Sequence, residues 1–269
     1  MLRLQNHALP DVTTRELAAM QKQVDNEADY ESQVASAKGL FKRRNTASNK
    51  NFRVVRSKLL DICPGQGRCC YCEVSQPDEV EHIYPKDLYP DRAFVWTNYL
   101  MACGPCNGTW KNNRFAVIDR DGLLHDVTRK RGAAIKPPRK GKPALIDPRS
   151  EDPLHYLELD IVDTFLFLPR AKPDTEDYLR AEYTIGLQGL NERTLLPRAR
   201  ASACGDYFAR LAVYRNQRDD GASSSQLKEL REALLAHPHP FVWREMQRQP
   251  ESRADLKELF ADLPEALSW

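Results

Sequence analysis

Residues 69–86, CCYCEVSQPDEVEHIYPK, and residues 96–113, WTNYLMACGPCNGTWKNN, decide how this chain folds. They hold two CxxC turns, Cys69–Cys72 and Cys103–Cys106, with residues 73–102 between them. Two such turns can bring four thiolates to about 2.3 Å from one tetrahedral ion, the geometry of a structural Zn²⁺. Cys63 and Cys70 compete for the first pair. Cys69 with Cys72 has the ideal separation, which leaves Cys63 and Cys70 as packing residues. Six of the 7 cysteines lie between Cys63 and Cys106, and Cys204 reads as a residue of a helix core. In a reducing compartment this clustering favours a metal over disulfides. A redox role is disfavoured because neither pair opens a helix after a thioredoxin-like strand. Zinc in such a knuckle contributes on the order of 10 kcal/mol to folding, comparable to the whole stability of a typical domain.

Between the two turns runs Asp78-Glu79-Val80-Glu81-His82-Ile83-Tyr84-Pro85-Lys86. In a regular strand, Glu81 and His82 face opposite sides. A kink before Pro85 brings both toward one site. Asp78 and Glu79 offer further carboxylates nearby. Asn107 directly follows a knuckle cysteine, so the knuckle fixes its position at the start of the next helix.

Outward from this centre the pattern is mainly helical. Residues 13–44 read as one helix capped by Thr13 or Thr14, and 51–62 as a second, ended by Pro64-Gly65. Tyr156–Val162 and Thr164–Leu168 read as a hairpin turning at about Asp163. Helices are expected at 175–187, 190–217, 224–236 and 240–248, with a short one near 252–262. The expected class is α+β, mainly α: a helical segment over 1–62, a core over 63–127, a loop over 128–143, and a mainly helical region over 144–269. No internal repeat is found.

The 269 residues are 41% hydrophobic and 29% charged, an ordinary soluble composition. The net charge of +2 is too small to decide for or against a polyanionic partner. No apolar run approaches the roughly 20 residues of a membrane span, and residues 1–23 lack a signal-peptide core. A cytoplasmic protein without a membrane partner is expected.

The strings CCYCE, EHIYPKDLYP and WTNYLMACGPCN, with the later LIDPRSEDP and GLNERTLLPRAR, resemble HNH (ββα-metal) nucleases of the PtuB type, found in Septu and certain retron anti-phage systems. The specific part of the resemblance covers residues 69–111, and a looser part covers 144–200. It implies a zinc-knuckled ββα-metal core in which His82 is the general base and Glu81 coordinates a divalent cation. Asn98 orients the histidine or its loop, and Asn107 contacts the same cation. The family's final histidine is here asparagine, whose amide oxygen suits Mg²⁺ or Mn²⁺, ions that prefer oxygen ligands. The implied partners are DNA and a PtuA-like ATPase of the ABC or AAA type.

Residues 128–143 carry Arg129, Lys130, Arg131, Lys136, Arg139, Lys140 and Lys142 with no acid among them. Such a run can neutralise backbone phosphates, and Lys86 and Lys111 are further phosphate candidates. No base-reading element is present, so little sequence specificity is expected. Two rival readings remain: a non-catalytic zinc-knuckle module that binds nucleic acid or a partner, and an HNH nuclease acting on RNA such as tRNA.

Overall fold

The computed structural model describes residues 1–269. The N-terminal helical region is three helices rather than two: α1 (Asp11–Asp25), α2 (Tyr30–Arg44) and α3 (Lys50–Asp61). The expected helix over 13–44 is interrupted because Asp29 adopts extended backbone and accepts from the amide of Ser32 at 2.8 Å, starting α2 afresh. A side chain that satisfies a free first-turn N–H in this way typically contributes about 1 kcal/mol. Asn49 caps α3 through the amide of Phe52. The apolar faces of these helices, among them Leu17, Val24, Phe41, Phe52 and Val55, are buried.

The two cysteine turns are joined by an antiparallel pair of strands, β1 (Glu79–His82) and β2 (Tyr99–Ala102), in the register Glu79–Ala102 to His82–Tyr99. A π-helical segment, Pro105–Lys111, follows β2, giving the order strand, strand, helix. The loop expected over 128–143 closes in a short strand. β3 (Ala116–Ile118) pairs with both β4 (Leu124–Asp126) and β5 (Lys142–Pro143). The basic stretch therefore leaves from one side of this small sheet and returns to the other.

The expected hairpin forms as β6 (Leu157–Leu159) and β7 (Phe167–Pro169). Its turn spans 160–166 and is longer than anticipated, because Asp160 collects the backbone amides of Val162, Asp163 and Thr164. The chain then continues as α4 (Glu176–Leu187), α5 (Leu195–Asp219), α6 (Ser224–Leu235), α7 (Pro240–Arg248) and α8 (Ala254–Asp262). A capping box between Ser223 and Gln226 starts α6. The secondary structure is thus mainly α with small sheets. One continuous buried core runs from the N-terminal helices through the cysteines to Trp243 and Phe260. No helix is long and apolar enough to cross a membrane.

Candidate active site and cysteine cluster

Cys69, Cys72, Cys103 and Cys106 are buried, with their sulfurs all within 4.8 Å of one another. No disulfide links them. Cys63 and Cys70 stand outside this cluster as a pair of their own, with sulfurs 3.7 Å apart. The backbone amide of Cys103 donates to Cys69 Sγ at 3.3 Å, and Arg193 donates to Cys106 Sγ at 3.2 Å. Hydrogen bonding from Cys103 holds the Cys72 thiol far below its ordinary value. The bond between Cys103 and Cys106 pushes Cys106 far above it. Left to themselves, four crowded sulfurs do not all ionise, because each thiolate raises the others. A divalent cation removes that conflict, and the four sulfurs with their N–H donors fit Zn²⁺. The cluster could hold such an ion.

Beside this cluster lies a polar cavity of about 490 Å³, lined by residues of α2, α3, β1 and the π-helical segment. Glu79, Glu81, His82, Lys86 and Asn107 all line it. His82 and Glu81 are almost fully buried, and they belong to opposite faces of β1. The imidazole packs edge-on against Phe41 and Tyr99. Its Nε2 lies 2.9 Å from the carbonyl of Ala93. A carbonyl oxygen only accepts, so Nε2 carries the proton and Nδ1 is left as a base. Burial, reinforced by the neighbouring charge of Lys86, holds the imidazole well below its usual pKa, and therefore neutral.

Asn98 does not touch His82. Its amide clamps the loop beyond β1, accepting from Tyr84 N at 2.8 Å and donating to Tyr84 O and Arg92 O at 3.1 and 2.9 Å. Arg92 precedes Ala93, so this clamp fixes the carbonyl that orients the imidazole. Tyr99 Oη donates to the same Ala93 oxygen at 2.5 Å.

The carboxylates divide. Glu81 forms an ion pair with Lys111, while Lys111 also donates to the carbonyl of His82 at 2.8 Å. Glu79 instead meets Asn107, whose Nδ2 donates to Oε2 at 2.5 Å. Burial raises the Glu81 carboxyl pKa, with Lys111 opposing it. The cleft's oxygen donors suit Mg²⁺ or Mn²⁺, although its acidic side chains do not close on one point as the cysteines do.

Lys111 departs from the expected phosphate contact. It is fully buried at the end of the π-helical segment, where its ammonium meets Glu81 and the carbonyl of His82. The basic stretch also divides. Arg129 is spent on Asp87 O, Tyr30 Oη and Lys136 O, Arg139 on Asp119, and Lys142 on Glu176. Lys130, Arg131, Lys136 and Lys140 stay exposed without a carboxylate partner. Lys86 is half-buried, with its ammonium 5.1 Å from the Phe41 ring centre. Sequence reasoning held Glu79 as an alternative carboxylate to Glu81 and missed Arg193 and Arg56, to which no local pattern points.

Two curated proteins match this chain, and both are named Septu protein PtuB. The chain is related to Septu PtuB proteins. The relative from Bacillus thuringiensis is 46% identical over 59 residues, covering 20% of this chain and 22% of that protein. The relative from Bacillus mycoides (strain KBAB4) is 25% identical over 146 residues, covering 48% of this chain and 44% of that protein. Each match therefore spans less than half of the relative's length. No family model matches the chain. No solved structure matches it either.

Proposed function

We propose that this chain is a metal-dependent HNH-type endonuclease that cuts DNA as the nuclease component of an anti-phage defence complex, together with a PtuA-like ATPase. The observation that carries the reading is the imidazole of His82. It is held neutral, with Nε2–H on Ala93 O and Nδ1 left as acceptor, in a polar cavity that also contains Glu79, Glu81 and Asn107. Relatedness to Septu PtuB proteins supports the defence setting. Zn²⁺ held by Cys69, Cys72, Cys103 and Cys106 has a structural part, pinning β2 and Asn107 relative to β1.

In the proposed hydrolysis, a water oxygen bonds to the scissile phosphorus and passes its proton to His82 Nδ1, while the bond from phosphorus to the sugar oxygen breaks and that oxygen takes a proton from solvent water. As the imidazole becomes cationic, its Nε2–H bond to Ala93 O becomes charge-assisted and holds the imidazolium in place. Asn98 keeps that carbonyl where the ring needs it. Asn107, with Glu79 or Glu81, would hold Mg²⁺ or Mn²⁺, which when bound supplies charge neutralisation at the phosphate. The exposed cations of residues 130–140 would contact backbone phosphates away from the cut.

The test is cleavage of purified DNA and of tRNA by the chain, with and without its ATPase partner and Mg²⁺, alongside a phage-protection assay. DNA cleavage that requires the divalent ion, together with protection lost in His82→Ala, is expected. Cleavage confined to RNA would replace the DNA assignment. Protection undiminished in His82→Ala would leave a non-catalytic module.

A further inference from the structure

Most basic groups around the cleft are already occupied. Lys111 is bound to Glu81, Arg129 to backbone carbonyls and Tyr30, and Lys38 to Asp87. Arg56 differs. It projects from α3, outside both cysteine turns, and lines the same cavity as Glu79, His82 and Asn107. Its guanidinium has no carboxylate within ion-pair distance and is held by neutral acceptors alone: Thr46 O at 3.1 Å and Asn45 Oδ1 at 2.5 Å. Asn45 lines the cavity as well. The polar segment between α2 and α3 therefore fixes a full positive charge at the wall of the cavity, whose second lining cation is Lys86, without neutralising it. Partly burying that charge against neutral acceptors alone costs desolvation that no ion pair repays. A guanidinium restrained at two of its donors retains others in a planar fork, the shape that matches a phosphate.

We propose that Arg56 is a substrate-binding residue that grips a backbone phosphate of the nucleic-acid strand lying across the cavity, with Asn45 and the Thr46 carbonyl as its positioning groups. The proposal rests on the nuclease reading above. It adds a strand contact from the N-terminal helices to a site whose other named residues lie between the two cysteine turns or directly after the second. The helices α2 and α3 thereby become one wall of the binding cleft rather than mere support.

The experiment measures binding of a fluorescent 20-base-pair DNA duplex by anisotropy, without added Mg²⁺ or chelator at several salt concentrations, and cleavage in Mg²⁺. It uses the full chain with Arg56→Gln, Arg56→Lys and His82→Ala. Gln keeps a side-chain amide donor for Asn45 and Thr46 but removes the charge. Arg56→Gln is expected to weaken binding about tenfold and to reduce the slope of log affinity against log salt by about one. Arg56→Lys should restore the slope but not the full cleavage rate, because an ammonium loses the fork. His82→Ala should abolish cleavage with binding unchanged. Unchanged affinity and slope in a folded Arg56→Gln protein, with His82→Ala inactive, would overturn the Arg56 proposal and leave the nuclease reading standing. Full cleavage by His82→Ala would overturn the nuclease reading itself. Should Arg56→Gln not fold, Arg56→Lys decides: a cleavage rate equal to that of the wild type contradicts the proposal, because the lost fork would then have had no part.

Discussion

His82 Nε2 lies 2.9 Å from the carbonyl oxygen of Ala93, and this contact sets the chemical identity of the whole imidazole. It fixes the tautomer and leaves Nδ1 as the acceptor. The contact also depends on a residue that never touches the ring, since Asn98 holds the carbonyl of Arg92, one residue before Ala93. Asn98→Ala is therefore expected to reduce the cleavage rate at least tenfold, with zinc retained. It should also lower stability by about 1–3 kcal/mol, the usual effect of leaving buried partners of a hydrogen bond unsatisfied. Cleavage kinetics together with urea denaturation check both effects. An unchanged rate in a destabilised protein would limit Asn98 to packing.

The four-cysteine cluster predicts a sharp asymmetry among thiols. Cys103→Ser should lose the metal and unfold the segment from residue 63 to residue 113, because the ion would supply much of that region's folding energy. Cys70→Ser, outside the cluster, should keep one zinc per chain and fold. Elemental analysis with circular dichroism distinguishes the two. Equal zinc content in wild type and Cys103→Ser would contradict the ligand assignment.

The pair formed by Lys111 and Glu81 is a buried ion pair, and removing one partner strands the other. Lys111→Met should cost about 3–5 kcal/mol, while Lys111→Met combined with Glu81→Leu should recover a large part of it. Thermal denaturation of wild type, Lys111→Met, Glu81→Leu and the double variant reads the coupling. A mild Lys111→Met would mean that the lysine is not the counter-charge that the geometry makes it.

Gly189 sits at φ +55 with its face against Trp110, where a Cβ would lie 2.5 Å from the indole. Trp110 belongs to the π-helical segment that carries Asn107 and Lys111, so this contact ties the C-terminal region to the cleft. Gly189→Ala is expected to destabilise by on the order of 3 kcal/mol, from both the clash and the left-handed backbone. Trp110→Ala in the same chain should relieve only the clash. Chemical denaturation of the single and double variants measures the difference.

His239 is buried in left-handed backbone, and burial lowers its pKa to about 4. A histidine held neutral in the fold contributes stability that is present above its unfolded pKa of about 6.5 and is lost as pH falls toward 4. Between pH 7 and pH 5 this loss amounts to about 2 kcal/mol. His239→Asn, which tolerates the backbone, should show a flatter decline over that interval. Urea midpoints at the two pH values test it, and identical slopes would refute it.

The cysteine spacing and the Glu81-His82 dipeptide made the centre of this molecule legible, because tight turns and metal-ligand spacing are local properties of a chain. The C-terminal helices were legible too, from periodicity and from caps such as Ser223. The break at Asp29 was not, because residues 26–29 contain neither glycine nor proline and the apolar period continues past them. Lys111 read in sequence as a candidate phosphate contact. Its burial depends on Glu81, thirty residues earlier, arriving on the same side. Arg129 likewise is drawn inward by Tyr30, and Arg56 reaches the cleft only because α3 packs beside β2. These placements are tertiary, and no local pattern announces them.

The most direct measurement is the single-turnover rate at which the chain, with Mg²⁺ and its ATPase partner, cuts duplex DNA, compared between wild type and His82→Ala. The account predicts measurable cleavage by the wild type and a loss of at least a hundredfold in the variant, with zinc content and DNA affinity unchanged. Equal rates in the two proteins would contradict it.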